Sequence, residues 1–127
     1  MKSSALIVGD ILTFLAVTLL GFASHGELTA SFLPRMAAAF VPVCLGWFLL
    51  APWFGLFDDS TVRTGQQLWR PAFVMLFAGA LASILRGLLL DAPVVPSFAV
   101  VLTVTAGLGL TIWRVLYLLI GRPRHAA

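Results

Sequence analysis

Three charged residues lie inside long apolar stretches of this 127-residue chain: Asp10, Arg86 and Arg114. An unpaired ion in a lipid bilayer costs at least about 2.5–3.5 kcal/mol on insertion scales, so such side chains are expected to pair, to face water or to extend to the interface. Charges in these positions can hold helices together, carry protons or ions, or bind a charged ligand. These three uses are the chemistry that the sequence allows.

Asp10 and Arg114 are predicted to form an intramembrane ion pair. Asp10 lies about six residues from the start of the first apolar stretch, and Arg114 about seven residues from the end of the last. At 1.5 Å per helical residue, both side chains lie roughly 10 Å below the same interface. The pair could be a structural link between the first and last helices or a proton or ion relay, and snorkelling without pairing is the third interpretation.

A second polar cluster is predicted at the opposite, outer face, formed by His25, Glu27, Arg86 and Asp91. Arg86 could pair with Glu27 or Asp91, or anchor the helix end at the interface. Alternatively, Arg86 and Arg35 could form a site for an anion or a lipid headgroup. His25 could titrate as a pH sensor or proton acceptor.

The sequence contains no residue set that indicates catalysis or metal binding. One His next to one Glu, with a distant Cys44, falls short of a metal site. Neither a nucleophile elbow nor a phosphate-binding or dinucleotide-binding motif is present. We therefore predict no catalytic residues, no metal and no cofactor, and a protein that is not an enzyme. Because Trp47, Trp113 and many Phe could line an apolar cleft, a bound lipid or pigment is possible.

The composition predicts helices in a membrane. Hydrophobic residues make up 61% of the chain and charged residues 10%, against about 45–50% and about 25% in soluble domains. The apolar stretches are each close to the roughly 20 residues that span a bilayer, and they cover about 4–24, 33–54, 71–90 and 97–120. Short connections favour an all-α, up-down-up-down four-helix bundle that forms a single transmembrane domain over residues 1–127.

The basic residues predict the orientation. One side of the predicted membrane carries most of them, namely Lys2, Arg63, Arg70, Arg122 and Arg124. Because cytoplasmic loops carry an excess of Lys and Arg, both termini are expected in the cytoplasm. The expected location is the cell inner (cytoplasmic) membrane, as a multi-pass protein. These few basic residues form no patch of the kind that binds nucleic acid.

Small residues on the last two helices predict close helix packing. Gly79, Ser83 and Gly87 recur every four residues in the third stretch, and Gly107 lies in the fourth. Such spacing lets membrane helices approach closely. The pattern leaves open whether the contact is within the bundle or between chains.

Several short motifs resemble those of a family of small bacterial membrane proteins known only as a domain of unknown function (3054-type). The matching residues are Gly9-Asp10, Ser24-His25-Gly26, Gly46-Trp47, Trp69, Arg86 and Trp113-Arg114. The resemblance implies a four-helix membrane fold and no particular reaction. It includes Asp10, His25, Arg86 and Arg114, which the charge pattern also selects.

These features favour a small non-enzymatic membrane protein that is an accessory or structural subunit of a larger membrane complex. Its expected partners are membrane lipids and either other membrane subunits or copies of itself. A homo-oligomeric transporter or channel that uses Asp10, Arg114 and His25 is the alternative. A lipid-binding or pigment-binding protein is the further alternative.

Overall fold

The computed structural model describes residues 4–27, 29–57, 66 and 68–120. Four long helices account for most of them: α1 (Ser4–Ser24), α2 (Leu33–Leu50), α3 (Trp69–Leu90) and α4 (Pro96–Ile120). Short 3-10 helices precede and follow α2 at Ala30–Phe32 and Ala51–Phe54. No strand occurs in the described part of the chain. The prediction of an all-α four-helix fold is confirmed.

All four helical segments are long and apolar enough to cross a membrane. Large apolar side chains are exposed along each helix, for example Leu12, Leu45, Phe77 and Ile112. Such surfaces suit a solvent of lipid tails. The basic residues Lys2, Arg63, Arg122 and Arg124, on which the predicted orientation depends, lie outside the described residues, so the orientation stays a prediction.

Glycines with a left-handed backbone conformation follow α1 and the 3-10 helix at Ala51–Phe54. Gly26 has φ +69° and Gly55 has φ +68°. In each case the next amide donates a hydrogen bond five residues back, from Glu27 to the Phe22 carbonyl (2.8 Å) and from Leu56 to the Ala51 carbonyl (3.3 Å). These bonds satisfy the helix-end carbonyls, and glycine adopts the required conformation without steric cost.

Small residues bring α3 close to both of its neighbours. A Cβ atom added at Gly46 in α2 would lie 2.9 Å from the Ala78 carbonyl oxygen of α3. A Cβ atom added at Gly79 in α3 would lie 2.1 Å from Thr103 Oγ1 of α4. The fully buried Val74, Met75 and Ala78 occupy the same region of α3. Helices α2, α3 and α4 are therefore closely packed, and α1 lies against α2 and α4.

The first half of α1 lies beside the second halves of α2 and α4. Asp10, Trp47 and Arg114 meet there, and we call this part of the bundle the network end. At the opposite end, α1, α2, α3 and α4 all contribute residues to a cavity, and we call this the cavity end.

Candidate functional site

A buried polar network joins three helices at the network end. Arg114 Nη2 donates to Asp10 Oδ2 at 2.7 Å, and the two side chains are 1% and 0% exposed. Trp47 Nε1 donates to the same carboxylate oxygen at 2.9 Å. Arg114 Nη1 donates to the Leu56 carbonyl oxygen. The network therefore connects α1, α2, α4 and the turn that follows α2.

The arrangement compensates both charges. The Asp10 carboxylate accepts bonds from a guanidinium and an indole, and the Arg114 guanidinium binds a carboxylate and a carbonyl. The Phe57 ring lies 6.0 Å from the guanidinium carbon of Arg114, within the range of a cation–π contact. Charge-assisted hydrogen bonds of this type are stronger than neutral ones. An ion pair in this setting can hold the helices in one register.

Trp113 covers the network on the α1 side. A Cβ atom added at Gly9 would lie 2.0 Å from Trp113 Cζ2 and 2.6 Å from its Nε1. The indole ring thus lies directly on the glycine next to Asp10. Trp113 Nε1 and Asp10 Oδ1 are both buried and have no hydrogen-bond partner among the described residues. Only glycine at position 9 allows this close contact.

The Phe14 side chain lies on α1 between the level of Asp10 and the cavity. Phe14 lies one helical turn beyond Asp10 and packs edge-on against Trp47, with ring centroids 5.9 Å apart. Both side chains are almost fully buried. The next turn of α1, at Val17 and Thr18, already lines the cavity. The buried charges and the cavity are therefore distinct parts of the molecule.

The cavity has a volume of about 300 Å³ and a mixed polar and apolar lining. Four charged or titratable residues line it: His25, Glu27, Arg35 and Arg86. The guanidinium carbon of Arg86 lies 4.1 Å from the centroid of the Phe98 ring. Three of the four residues predicted as the outer polar cluster thus share one cavity.

Asp91, the fourth member, lies elsewhere. It follows α3 with a left-handed backbone, φ +49°, and lines a separate surface depression with Gly87, Ala92 and Pro93. Within the described residues, Arg86 forms no ion pair with Glu27 or Asp91, and the aromatic ring of Phe98 is its close contact. The other arginine that lines the cavity is Arg35.

The predicted packing residues all make contacts within the bundle. Gly79 lies against Thr103, and Gly107 lies opposite Ala72 and Met75. Ser83 is buried and its hydroxyl donates to the Gly79 carbonyl at 2.8 Å. Close to the end of α3, a Cβ atom added at Gly87 would lie 2.9 Å from the Ala92 carbonyl oxygen. This stripe is therefore occupied by the chain's own atoms.

Sequence reasoning did not assign Trp47 to the network, nor Phe14 to the position between the level of Asp10 and the cavity. A signal for Trp47 was present, because a tryptophan in the middle of an apolar helix carries an N–H that requires an acceptor. Asp10 was an available carboxylate acceptor inside an apolar stretch. No comparable signal marks Phe14 or the Leu56 carbonyl.

Four helices of membrane-spanning length around a buried charge pair define a small all-α multi-pass membrane protein. The chain belongs to the family described as "Protein of unknown function (DUF3054)", which matches residues 7–117. This range includes the network and the cavity. The family resemblance inferred from the short motifs is confirmed. Comparisons with curated proteins and with solved structures gave no match.

Proposed function

We propose that the protein is a non-enzymatic integral membrane protein that serves as an accessory or structural subunit of a larger membrane assembly. The observation that supports this most directly is the network of Asp10, Trp47 and Arg114. Its charges bind one another and the chain's own groups. A catalytic role or a proton relay would need a charged side chain that faces a substrate, an ion or water. The side chains of Asp10, Trp47 and Arg114 face the interior of the bundle instead.

The transporter alternative uses Asp10, Arg114 and His25 together. The fifteen residues from Asp10 to His25 correspond to about 22 Å along a helix. Phe14, which packs against Trp47, lies on α1 between the level of Asp10 and the turn that lines the cavity. No hydrogen bond in the described part of the chain connects the two regions. The geometry therefore favours a structural role for the ion pair over a relay.

The surface available to a partner differs from the one that the small-residue stripe suggested. Because Gly79, Ser83 and Gly107 pack inside the bundle, a partner helix would lie on other faces. Helices α1 and α4 bury only five residues each, out of 21 and 25. Their outward faces carry Leu12 and Ile112 among other exposed apolar side chains. We propose the network-end half of the α1–α4 side, around Leu12 and Ile112, as the contact surface.

The test is purification of the tagged full-length chain from its native membrane in a gentle detergent, followed by native mass spectrometry. We expect stoichiometric foreign subunits. Leu12→Trp on α1 is expected to remove them. Leu45→Trp on α2 is the matched control, because Leu45 has nearly the same exposure, 59% against 58%.

Two outcomes contradict the proposal. A chain that is recovered alone, both with and without chemical crosslinking in the membrane, would exclude a stable accessory role. A homo-oligomer without other subunits would favour the transporter alternative instead. Retention of the partner in both tryptophan variants would move the contact surface away from Leu12.

A further inference from the structure

The cavity end combines two positive charges with an apolar interior. Arg35 and Arg86 both line the cavity, where Glu27 is the one acidic side chain among the lining residues and His25 is the other titratable group. With His25 neutral, the lining carries a net positive charge. In the described part of the chain, Arg114–Asp10 is the one salt bridge, so neither cavity arginine is neutralised by an ion pair there. A cavity of this kind favours an anion.

Arg86 is held in place but is left with hydrogen-bonding capacity. Its guanidinium carbon lies 4.1 Å from the centroid of the Phe98 ring, a distance that indicates a cation–π contact. Its Nε is buried and has no hydrogen-bond partner among the described residues. A guanidinium presents its donors in a planar fork that matches carboxylate and phosphate oxygens. The guanidinium is thus oriented by an aromatic ring, and its Nε–H has no acceptor among the described residues.

The hydroxyl groups of the cavity are already used as donors. Thr18 donates to the Phe14 carbonyl at 2.8 Å, and Thr105 donates to the Val101 carbonyl at 2.7 Å. The donors that remain for a ligand are those of the arginines and His25. The polar part of the cavity is therefore suited to an oxyanion and less suited to a neutral sugar or alcohol.

The lining of the cavity is exposed where α1 and α4 flank it, at Gly21 and Val101. Near the middle of the helices, Gly109 of α4 allows close packing, since a Cβ atom there would lie 2.9 Å from Thr13 and 3.3 Å from Val17. Two turns further along α1, a Cβ atom at Gly21 would have no neighbour within 4 Å. The two helices thus leave a gap on the cavity side, beside the exposed Val101. On a membrane-spanning surface, this gap faces lipid tails.

We propose that this cavity binds the anionic headgroup of a membrane lipid, with Arg86 and Arg35 on its phosphate and an acyl chain that leaves through the gap between α1 and α4. The positive charge of the arginines selects the headgroup. The apolar lining beside them, at Phe22 and Leu102, accommodates the first carbons of the lipid's acyl chain. A volume of about 300 Å³ is at the lower end of small-molecule sites, which span roughly 300–1,000 Å³. This suffices for a headgroup when the tails lie outside. The site does not depend on the accessory role.

The experiment uses the full chain in nanodiscs of phosphatidylcholine with a titrated fraction of phosphatidylglycerol of the same acyl chains. Lipids retained after transfer to detergent are counted by native mass spectrometry. We expect one phosphatidylglycerol to be retained in preference to phosphatidylcholine. Arg86→Gln should weaken its retention about tenfold to a hundredfold, as expected when hydrogen bonds to a charged group are lost. Arg35→Gln should weaken it as well and, because Arg35 is exposed, should leave folding intact.

The matched control is Arg70→Gln. Arg70 Nη1 binds the Phe54 carbonyl oxygen at 2.8 Å, outside the cavity, so this variant removes one positive charge without changing the site. Its phosphatidylglycerol retention should equal that of the wild type. Equal retention of both lipids by the wild type, or unchanged preference in the Arg35→Gln/Arg86→Gln double variant, would overturn the proposal.

Two further measurements distinguish a lipid ligand from a free anion. Gly21→Leu places a side chain in the gap, where the structure has room for it, and should reduce lipid retention in the folded protein. Inorganic phosphate at millimolar concentration should compete only weakly, because it lacks the acyl chain. Full competition by phosphate, together with unchanged retention in Gly21→Leu, would identify a small-anion site and contradict the lipid assignment.

Discussion

Replacing Arg114 by glutamine should lower the free energy of unfolding by about 3–5 kcal/mol, the range found when one partner of a buried ion pair is removed. The variant leaves the fully buried Asp10 carboxylate without its cationic partner, while the Trp47 indole still donates to it. It also removes the bond to the Leu56 carbonyl. The measurement is equilibrium unfolding in mixed micelles, followed by tryptophan fluorescence.

Arg35→Gln is the control for this substitution. It makes the same chemical change at an exposed arginine of the cavity end, and such surface changes usually fall within about 0.5 kcal/mol of the wild type. Equal stabilities of Arg114→Gln and Arg35→Gln would show that the ion pair contributes nothing to holding the bundle together.

Gly9→Ala is expected to give the second large effect. The added Cβ would lie 2.0 Å from Trp113 Cζ2, so the indole ring has to move away from α1. Overpacking of this kind typically destabilises by about 1–3 kcal/mol. The displaced ring also opens the side of the network next to Asp10. The same unfolding assay measures the loss.

Gly21→Ala is the matched control on the same helix. A Cβ atom there has no neighbour within 4 Å, and alanine is favoured over glycine inside a helix by about 0.5–1 kcal/mol. We therefore expect a stability equal to or slightly above that of the wild type. A loss in Gly21→Ala as large as that in Gly9→Ala would mean that glycine itself, and not the contact with Trp113, is what α1 requires.

The sequence predicted the helices well because length and apolar composition determine them. The predicted starts of α3 and α4 differ from those in the structure by two residues and one residue. Depth along a helix is also readable from sequence, since each residue advances the chain by 1.5 Å. Asp10 and Arg114 are therefore predicted at one level, and in the structure Arg114 Nη2 lies 2.7 Å from Asp10 Oδ2.

What the sequence could not provide is which side of each helix faces its neighbours. In helices that are apolar on all sides, the period that marks the core face of a soluble helix is weak. The contacts of Trp47 with Asp10 and of Trp113 with Gly9 depend on rotation about the helix axis and were not predicted. For Arg86, charge left open an acidic partner, an anchor at the helix end or an anion site with Arg35. It gave no sign of the Phe98 ring of α4, which the structure places beside the guanidinium.

The small residues of α3, Gly79, Ser83 and Gly87, are a second case in which the sequence does not identify the neighbour of a helix face. Their spacing predicted that α3 approaches something closely, and in the structure Gly79 meets Thr103 of α4. Spacing does not distinguish a neighbour in the same chain from a partner chain, because both need the same absence of side-chain volume. Only the three-dimensional arrangement assigns the contact to the bundle.

A double-mutant cycle on Asp10 and Arg114 tests most directly whether the buried network is a structural link. The free energy of unfolding is measured for the wild type, Asp10→Asn, Arg114→Gln and the double variant. Because the double variant buries no unpaired charge, we expect it to be more stable than Arg114→Gln, with a coupling energy of at least about 1 kcal/mol. Additive losses, with the double variant less stable than the wild type by the sum of the two single losses, would contradict a structural ion pair.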